Sequence, residues 1–131
     1  MSYYFSKVIG LSFNEAVKKV SEKLKEKGFG ILTQIDLKEK FKEKLNKDFN
    51  DYVILGACNP SLAYEALQIE NKVGLMLPCN VIVQKRPDSK IEIAIIDPVA
   101  SMQAIDNPAL KALALKVQEK LKACIENLEN T

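Results

Sequence analysis

Residues 51–60, DYVILGACNP, join a buried strand directly to the start of a helix. The run before Asn59 is short and almost entirely apolar, which is typical of a strand inside a fold. Asn59 can cap a helix with its side-chain oxygen. Pro60 suits the first turn, because the N–H that proline lacks has no helical partner there. The stretch therefore predicts a strand over 51–58 followed at once by a helix.

A capping box marks the first helix of the chain. Ser12 precedes Glu15 by three residues, so the hydroxyl and the carboxylate can each accept a backbone N–H. Apolar residues then recur at helical spacing until Gly28, a residue that commonly ends helices. The other elements expected before residue 51 are a strand over 3–9, a strand over 29–36 and a short lysine-rich helix over 37–47.

The second half of the chain predicts two strands and a long helix. Residues 73–85 look extended, but Pro78 cannot donate to a strand ladder and marks a break, a bulge or an edge. Residues 91–97, IEIAIID, alternate as a strand that turns Glu92 outward. A loop containing Pro98 then leads to a helix begun by Asn107 and Pro108. Its apolar stripe is Leu110, Leu113, Val117, Leu121, Cys124 and Leu128.

About five strands and four helices predict an α+β fold. We expect a two-layer sandwich, a mixed sheet with helices mainly on one face. A chain of 131 residues fits a single domain over 1–131. The strand order does not follow from the pattern.

Composition excludes several function classes. The formal charge of +2 gives no reason to expect nucleic acid or an anionic membrane as a partner, and the lysines of 37–47 are interspersed with glutamates. No apolar run reaches the 18 or more residues that a membrane span needs, and the first residues do not resemble a secretory signal. Three cysteines cannot all pair in disulfides within one chain, which favours free thiols and a cytoplasmic location.

The chain contains no histidine. This excludes serine–histidine and cysteine–histidine catalysis and histidine-bound zinc. The cysteine spacing matches no zinc motif, and neither a P-loop nor a dinucleotide fingerprint is present, so we expect no metal and no cofactor.

Cys58 and Cys79 are the candidate catalytic residues. Cys58 lies where a strand meets a helix start, and helix amides there can stabilise a thiolate. Cys79 follows the break at Pro78, where backbone amides can be left free. Both cysteines also fit a plain role as small core residues. Whether the two thiols meet does not follow from the sequence.

Four polar residues are candidate ligand-binding positions. Asp36 and Asp97 each end a predicted strand, where site residues often gather, although the residues before and after them favour a role as turn or cap acceptors. Asn59 and Asn80 each follow a cysteine and can donate from their amides. Asn59 already has a complete explanation as a helix cap.

Three segments carry a family resemblance. Residues 27–36 (KGFGILTQID), 52–67 (YVILGACNPSLAYEAL) and 74–83 (GLMLPCNVIV), followed by a strand ending in DP, are similar to the domain-of-unknown-function family numbered 302. The resemblance implies a compact α/β domain, often dimeric, and brings no established activity. It includes Cys58 and Cys79, while Cys124 lies outside these segments.

Three functions remain open, and whether the protein is an enzyme is not decided. The first is binding of a small anionic metabolite near Cys58 and Cys79. The second is thiol-dependent redox or sulfur transfer, with Cys58 reactive and Cys79 resolving. The third is a structural module that forms a homodimer through the stripe of the last helix.

Overall fold

The computed structural model describes residues 2–128. Its strands are β1 (Tyr4–Ile9), β2 (Gly30–Asp36), β3 (Tyr52–Cys58), β4 (Cys79–Lys85) and β5 (Ile91–Ile96). Its helices are α1 (Phe13–Glu26), α2 (Leu37–Leu45), α3 (Pro60–Ile69), α4 (Pro98–Ser101) and α5 (Pro108–Glu126). These elements confirm the α+β class, and all of the predicted strands form.

The sheet has the order β1-β5-β4-β3-β2, and every neighbouring pair is antiparallel. The expectation of a mixed sheet was therefore wrong. The helical crossover through α1 does join two strands of the same direction, β1 and β2, but these lie at opposite edges of the sheet. The strands that follow β2 in the chain fill the space between them, so strands of the same direction never pair.

Helices cover one face of the sheet. Alternate strand residues face this layer and are almost fully buried, among them Leu55, Val81 and Ile93. α1 packs against β2, β4 and β5, and α5 packs against β1 and β5. The capping box at Ser12 is present, with both reciprocal hydrogen bonds. The covered face confirms the expected placement of helices mainly on one side.

Two segments differ from expectation between residues 2 and 128. Val73–Met76 is a short 3₁₀ helix rather than extended chain, and β4 begins only after Pro78. The expected loop at Pro98 is the four-residue helix α4, capped by Asp97. The structure thus has five α-helices in this range where about four were expected. None of them combines the length and hydropathy that a membrane-crossing helix requires.

Two hydrophobic clusters divide the interior. The larger lies between the sheet and the helices α1 and α5, and it includes Cys79 and Cys124. The smaller lies beyond the end of β3 and the start of β4 and comprises Ala66, Val73, Met102, Leu110, Leu113 and Ala114. Since α5 contributes to both clusters, its predicted apolar stripe is buried inside the protein.

Candidate functional site

The sheet register brings the two candidate cysteines together. Cys79 begins β4 directly opposite Ala57 of β3, so Cys58 is the next residue beyond that pair. Cys79 is buried, with 6% of its surface exposed, whereas Cys58 is partly exposed. The antiparallel pairing of β3 and β4 thus brings the two residues close together, with Cys58 partly exposed and Cys79 buried.

Both cysteines line one cavity of about 40 Å³. Its walls come from both hydrophobic clusters, because Phe29 and Cys79 belong to the larger and Leu110 and Ala114 to the smaller. We call it the seam cavity. Six lining residues are partly exposed. Four of them lie where β3 passes into α3, namely Cys58, Asn59, Leu62 and Ala63, and the other two are Leu77 and Val117. We call the side at the start of α3, which holds most of these residues, the rim of the cavity.

Burial changes the chemistry of Cys79. Removal from water raises the pKa of its thiol to about 11, and the nearby Cys58 thiol adds to the rise. Desolvation disfavours the charged thiolate, which a buried apolar wall cannot solvate. Cys79 is therefore a neutral thiol at physiological pH.

Asn59 fixes the rim of the seam cavity. Its side-chain oxygen accepts from the Leu62 N–H at 3.3 Å, and its amide nitrogen donates to the Lys27 carbonyl at 3.4 Å. The Asn59 amide fits because Gly28 has no side chain, and a Cβ at residue 28 would lie 2.9 Å from the Asn59 nitrogen. The backbone of Gly28 also has a φ of +87°, which favours glycine. Asn59 thus caps α3 and ties it to the end of α1.

The other predicted ligand-binding residues lie away from the seam cavity. Asp36 caps α2 by accepting from the Glu39 N–H at 3.0 Å. Asp97 caps α4 and also accepts from the Gln118 side chain at 3.0 Å. Asn80 is exposed on the opposite face of the sheet. Of the four polar candidates, only Asn59 lines the seam cavity with the two cysteines, and Asp36 and Asp97 have the cap role that the sequence offered as the alternative.

Sequence reasoning missed the far wall of the seam cavity. Leu110, Leu113 and Ala114 of α5 complete it, together with Met102 after α4. The sequence identified the two leucines only as part of an apolar stripe. No local signal indicates which segment of that stripe lies opposite Cys58, since this depends on how α5 crosses the sheet.

The third cysteine is part of the core, as predicted. Cys124 is 1% exposed and its Sγ donates to the Lys23 carbonyl at 3.5 Å. Burial raises the pKa of this thiol also to about 11. Among the residues described, no group of three or more cysteine, aspartate or glutamate side chains is arranged to hold a metal ion.

Comparison with known proteins agrees with this architecture. A family model described as "Domain of unknown function DUF302" matches residues 5–128. A crystal structure of an uncharacterized conserved DUF302 protein from Bacillus stearothermophilus is similar to this chain, with a TM-score of 0.90 and 31% sequence identity. The alignment covers 96% of this chain and 98% of that one. No curated protein matches the sequence.

Proposed function

The chain belongs to the DUF302 family, and we propose that it binds a small molecule whose apolar end enters the seam cavity beside Cys58 and Cys79. The observation that carries this proposal is an apolar void at the junction of the two hydrophobic clusters, with Cys58 and Asn59 partly exposed at its rim. Protein interiors are normally filled to crystal-like density, so a void at such a junction is a favourable place for a guest.

The size and lining of the cavity define the ligand. A space of about 40 Å³ exceeds the roughly 10–15 Å³ needed by one water but is well below the roughly 150 Å³ that holds benzene. A short alkyl end of a few carbon atoms fits this range. A charged group inside would lack a partner, because the lining is apolar apart from Asn59 and the two thiols.

A ligand head group would lie at the rim. The helix start there offers little to an anion, because Asn59 already caps the Leu62 N–H and its carbonyl accepts from Ala63. The predicted anionic character of the ligand therefore depends on contacts outside the cavity. Recognition of an anionic head group is thus independent of binding of the apolar end.

Paired probes separate these two questions. We would follow thermal unfolding with butan-1-ol and hexan-1-ol, and with butanoate and hexanoate at matched concentrations. A ligand that binds only the folded state raises the melting temperature in proportion to its occupancy. We expect stabilisation by the alcohols, and a larger effect of the carboxylates only if an anionic head is recognised.

A filled cavity supplies the control. Ala114→Val places two methyl groups in the cavity, and Ala112→Val makes the same change at an exposed position of the same helix. We expect the probe effect to disappear in the first variant and to persist in the second. Equal probe effects in both variants, or none in the natural sequence, would refute binding at this site.

A second candidate function is thiol–disulfide exchange. It is favoured by one observation: a partly exposed Cys58 adjoins a buried Cys79 along the same cavity. The Cys58 thiolate would attack an external disulfide and release one of its sulfurs as a thiolate. Cys79 would then lose its proton and displace the second sulfur, leaving a Cys58–Cys79 disulfide and two reduced external thiols.

Incubation with glutathione disulfide tests this candidate. We expect the intact mass to fall by two hydrogen atoms in the natural sequence, and Cys79→Ala to stop at a stable glutathione adduct on Cys58. Labelling of Cys58 and Cys79 only after denaturation would exclude the exchange reaction, and it would leave the binding proposal untouched.

A homodimer and a cytoplasmic location complete the proposal. Three free cysteines support a reducing compartment. The stripe of α5 offers no route to a dimer because it is buried within the protein, so association would use another surface. Sedimentation velocity at increasing protein concentration tests the dimer directly.

A further inference from the structure

The uncovered face of the sheet contains a groove unrelated to the seam cavity. Its volume is about 420 Å³, and its lining includes Tyr3, Tyr4, Tyr52, Gln84, Glu92 and Ala94. The strand register arranges these residues in rows. Gln84 lies between Tyr52 and Glu92 in one row, and Ala94 pairs with Ile82 in the next. The small Ala94 side chain gives the groove its depth.

Glu92 places a carboxylate in this groove. The residue is partly buried, and its Oε1 accepts a hydrogen bond of 3.0 Å from the Gln84 side chain. The neutral amide orients the carboxylate but does not neutralise it. Within residues 2–128, Glu92 makes no salt bridge. A partly desolvated carboxylate without a cation attracts positive charge more strongly than one in bulk water.

Aromatic rings line the groove in the carboxylate's own row, which includes Tyr52, and at β1, where Tyr4 pairs with Ile96 and Tyr3 precedes it. The rings of Tyr3 and Tyr4 are in edge contact, with centroids 5.0 Å apart. The Tyr52 ring rests against Phe49 at 6.1 Å. Burial raises the pKa of the Tyr52 hydroxyl, and Tyr3 and Glu92 are close enough to raise it further. Tyr52 therefore lies near both Tyr3 and Glu92, and Tyr4 joins the same groove through its edge contact with Tyr3.

We propose that this groove binds an organic ammonium ion, with the Glu92 carboxylate as counter-ion and the tyrosine rings as the surface that contacts its carbon atoms. Cation–π attraction and apolar contact both favour an alkylated ammonium at such rings. A bare divalent metal ion fits poorly, because it requires several oxygen ligands and the described lining of the groove contains one carboxylate. An anion would be repelled by Glu92. The proposal is independent of the seam cavity.

A competing occupant of the same face is a second copy of the chain. Tyr4 and Val8 are among the exposed apolar residues on it, and two such sheets can pack face to face. Charge favours the ammonium ion, because the described lining of the groove contains no lysine or arginine that a second copy could present to Glu92. Self-association is accordingly an outcome that the experiment must be able to detect.

Charged probes and their neutral isosteres test the proposal. We would titrate the protein with choline and with butylammonium, and in parallel with 3,3-dimethylbutan-1-ol and butan-1-ol, while recording backbone amide NMR shifts. We expect saturable shifts on β3, β4 and β5 with the ammonium ions, and affinity at least about tenfold weaker for the neutral compounds.

Three variants assign the interaction to named residues. Glu92→Gln removes the charge without changing the shape, and we expect it to weaken choline binding about tenfold while the isostere is unaffected. Glu119→Gln makes the same change at an exposed position on α5 and should leave binding intact. Tyr4→Leu keeps apolar area but removes a ring, so it should weaken choline more than its isostere.

The outcomes that overturn the proposal are distinct. They are a lack of saturable response to both ammonium ions, equal affinity for charged and neutral probes, and unchanged choline binding in Glu92→Gln. A protein dimer whose contact maps to these strands and which excludes choline would replace the ammonium site with a self-interface. Thermal unfolding of each variant separates lost binding from lost folding.

Discussion

On the face of the sheet that the helices cover, Leu55 and Val81 are fully buried, whereas their chain neighbours Ile54 and Ile82 on the other face remain partly exposed. Both faces of these two strands carry large apolar side chains. Alternation along β3 and β4 therefore assigns each residue to a layer, and it does not separate apolar from polar residues. The covered face has a tight core, and the uncovered face has a groove with tyrosines and a carboxylate.

The largest expected effect is the difference in stability loss between the covered and the uncovered face, measured at two adjacent residues of β3. Leu55→Ala should destabilise the protein by about 3 kcal/mol, because a fully buried leucine leaves a cavity when truncated. Ile54→Ala should cost about 1 kcal/mol, since part of that side chain is already in water. Urea unfolding of both variants measures the two values. Equal losses would mean that the uncovered face is covered in solution, which would favour a second copy over an ammonium ligand.

A second experiment examines where the uncovered face is crowded. A Cβ at Gly56 would lie 2.7 Å from the Pro78 side chain and closer still to the Thr33 hydroxyl. We expect Gly56→Ala to cost about 2 kcal/mol, as overpacking usually does. Gly30→Ala is the matched control, because a Cβ at this strand position meets nothing within 4 Å. A neutral Gly56 variant would show that the strands separate easily beside Cys58, weakening the case for a preformed rim.

Local signals in the sequence predicted the elements well. Ser12 with Glu15, Asn59 with Pro60, and Asn107 with Pro108 each mark a helix start, and all three caps are present. Caps are predictable because they depend on a few consecutive residues. The strand order and the antiparallel pairing were not predictable in this way, because they depend on which distant strands meet. The sequence predicts a loop at Pro98, because a four-residue helix leaves too short a pattern to recognise.

The candidate site was predictable only in part. The sequence identified Cys58 and Cys79 as residues of interest, and the pairing of β3 with β4 makes them neighbours. The far wall of the seam cavity depends on packing between α5 and the sheet, which no short motif encodes. The groove on the uncovered face was missed for a different reason. Glu92 was predicted to point outward, but its row neighbours Tyr52 and Gln84 come from other strands.

The smallest expected effect concerns the buried thiols of the covered side. Burial raises the pKa of Cys79 to about 11 in the folded protein, above the roughly 8.5 of a free thiol. Below that free-thiol value, both folded and unfolded states hold the proton and the full stability is present. Between pH 8.5 and 11 the unfolded state releases the proton first, so stability falls as the pH rises. From pH 8.5 to 9.5, Cys79 should account for a loss of about 1 kcal/mol.

Comparison of two truncations isolates this loss. Cys79→Ala should be less stable at pH 7 but should decline less steeply above pH 8.5 than the natural sequence. Val81→Ala removes apolar volume from the next covered position of β4 without removing a titrating group, so it should keep the original slope. Cys124, whose pKa burial also raises to about 11, should contribute a similar slope of its own. If Cys79→Ala kept the full alkaline loss of stability, the Cys79 thiol would have the same pKa in the folded and unfolded states. The thiol would then be in contact with water, and the seam cavity would be open down to β4.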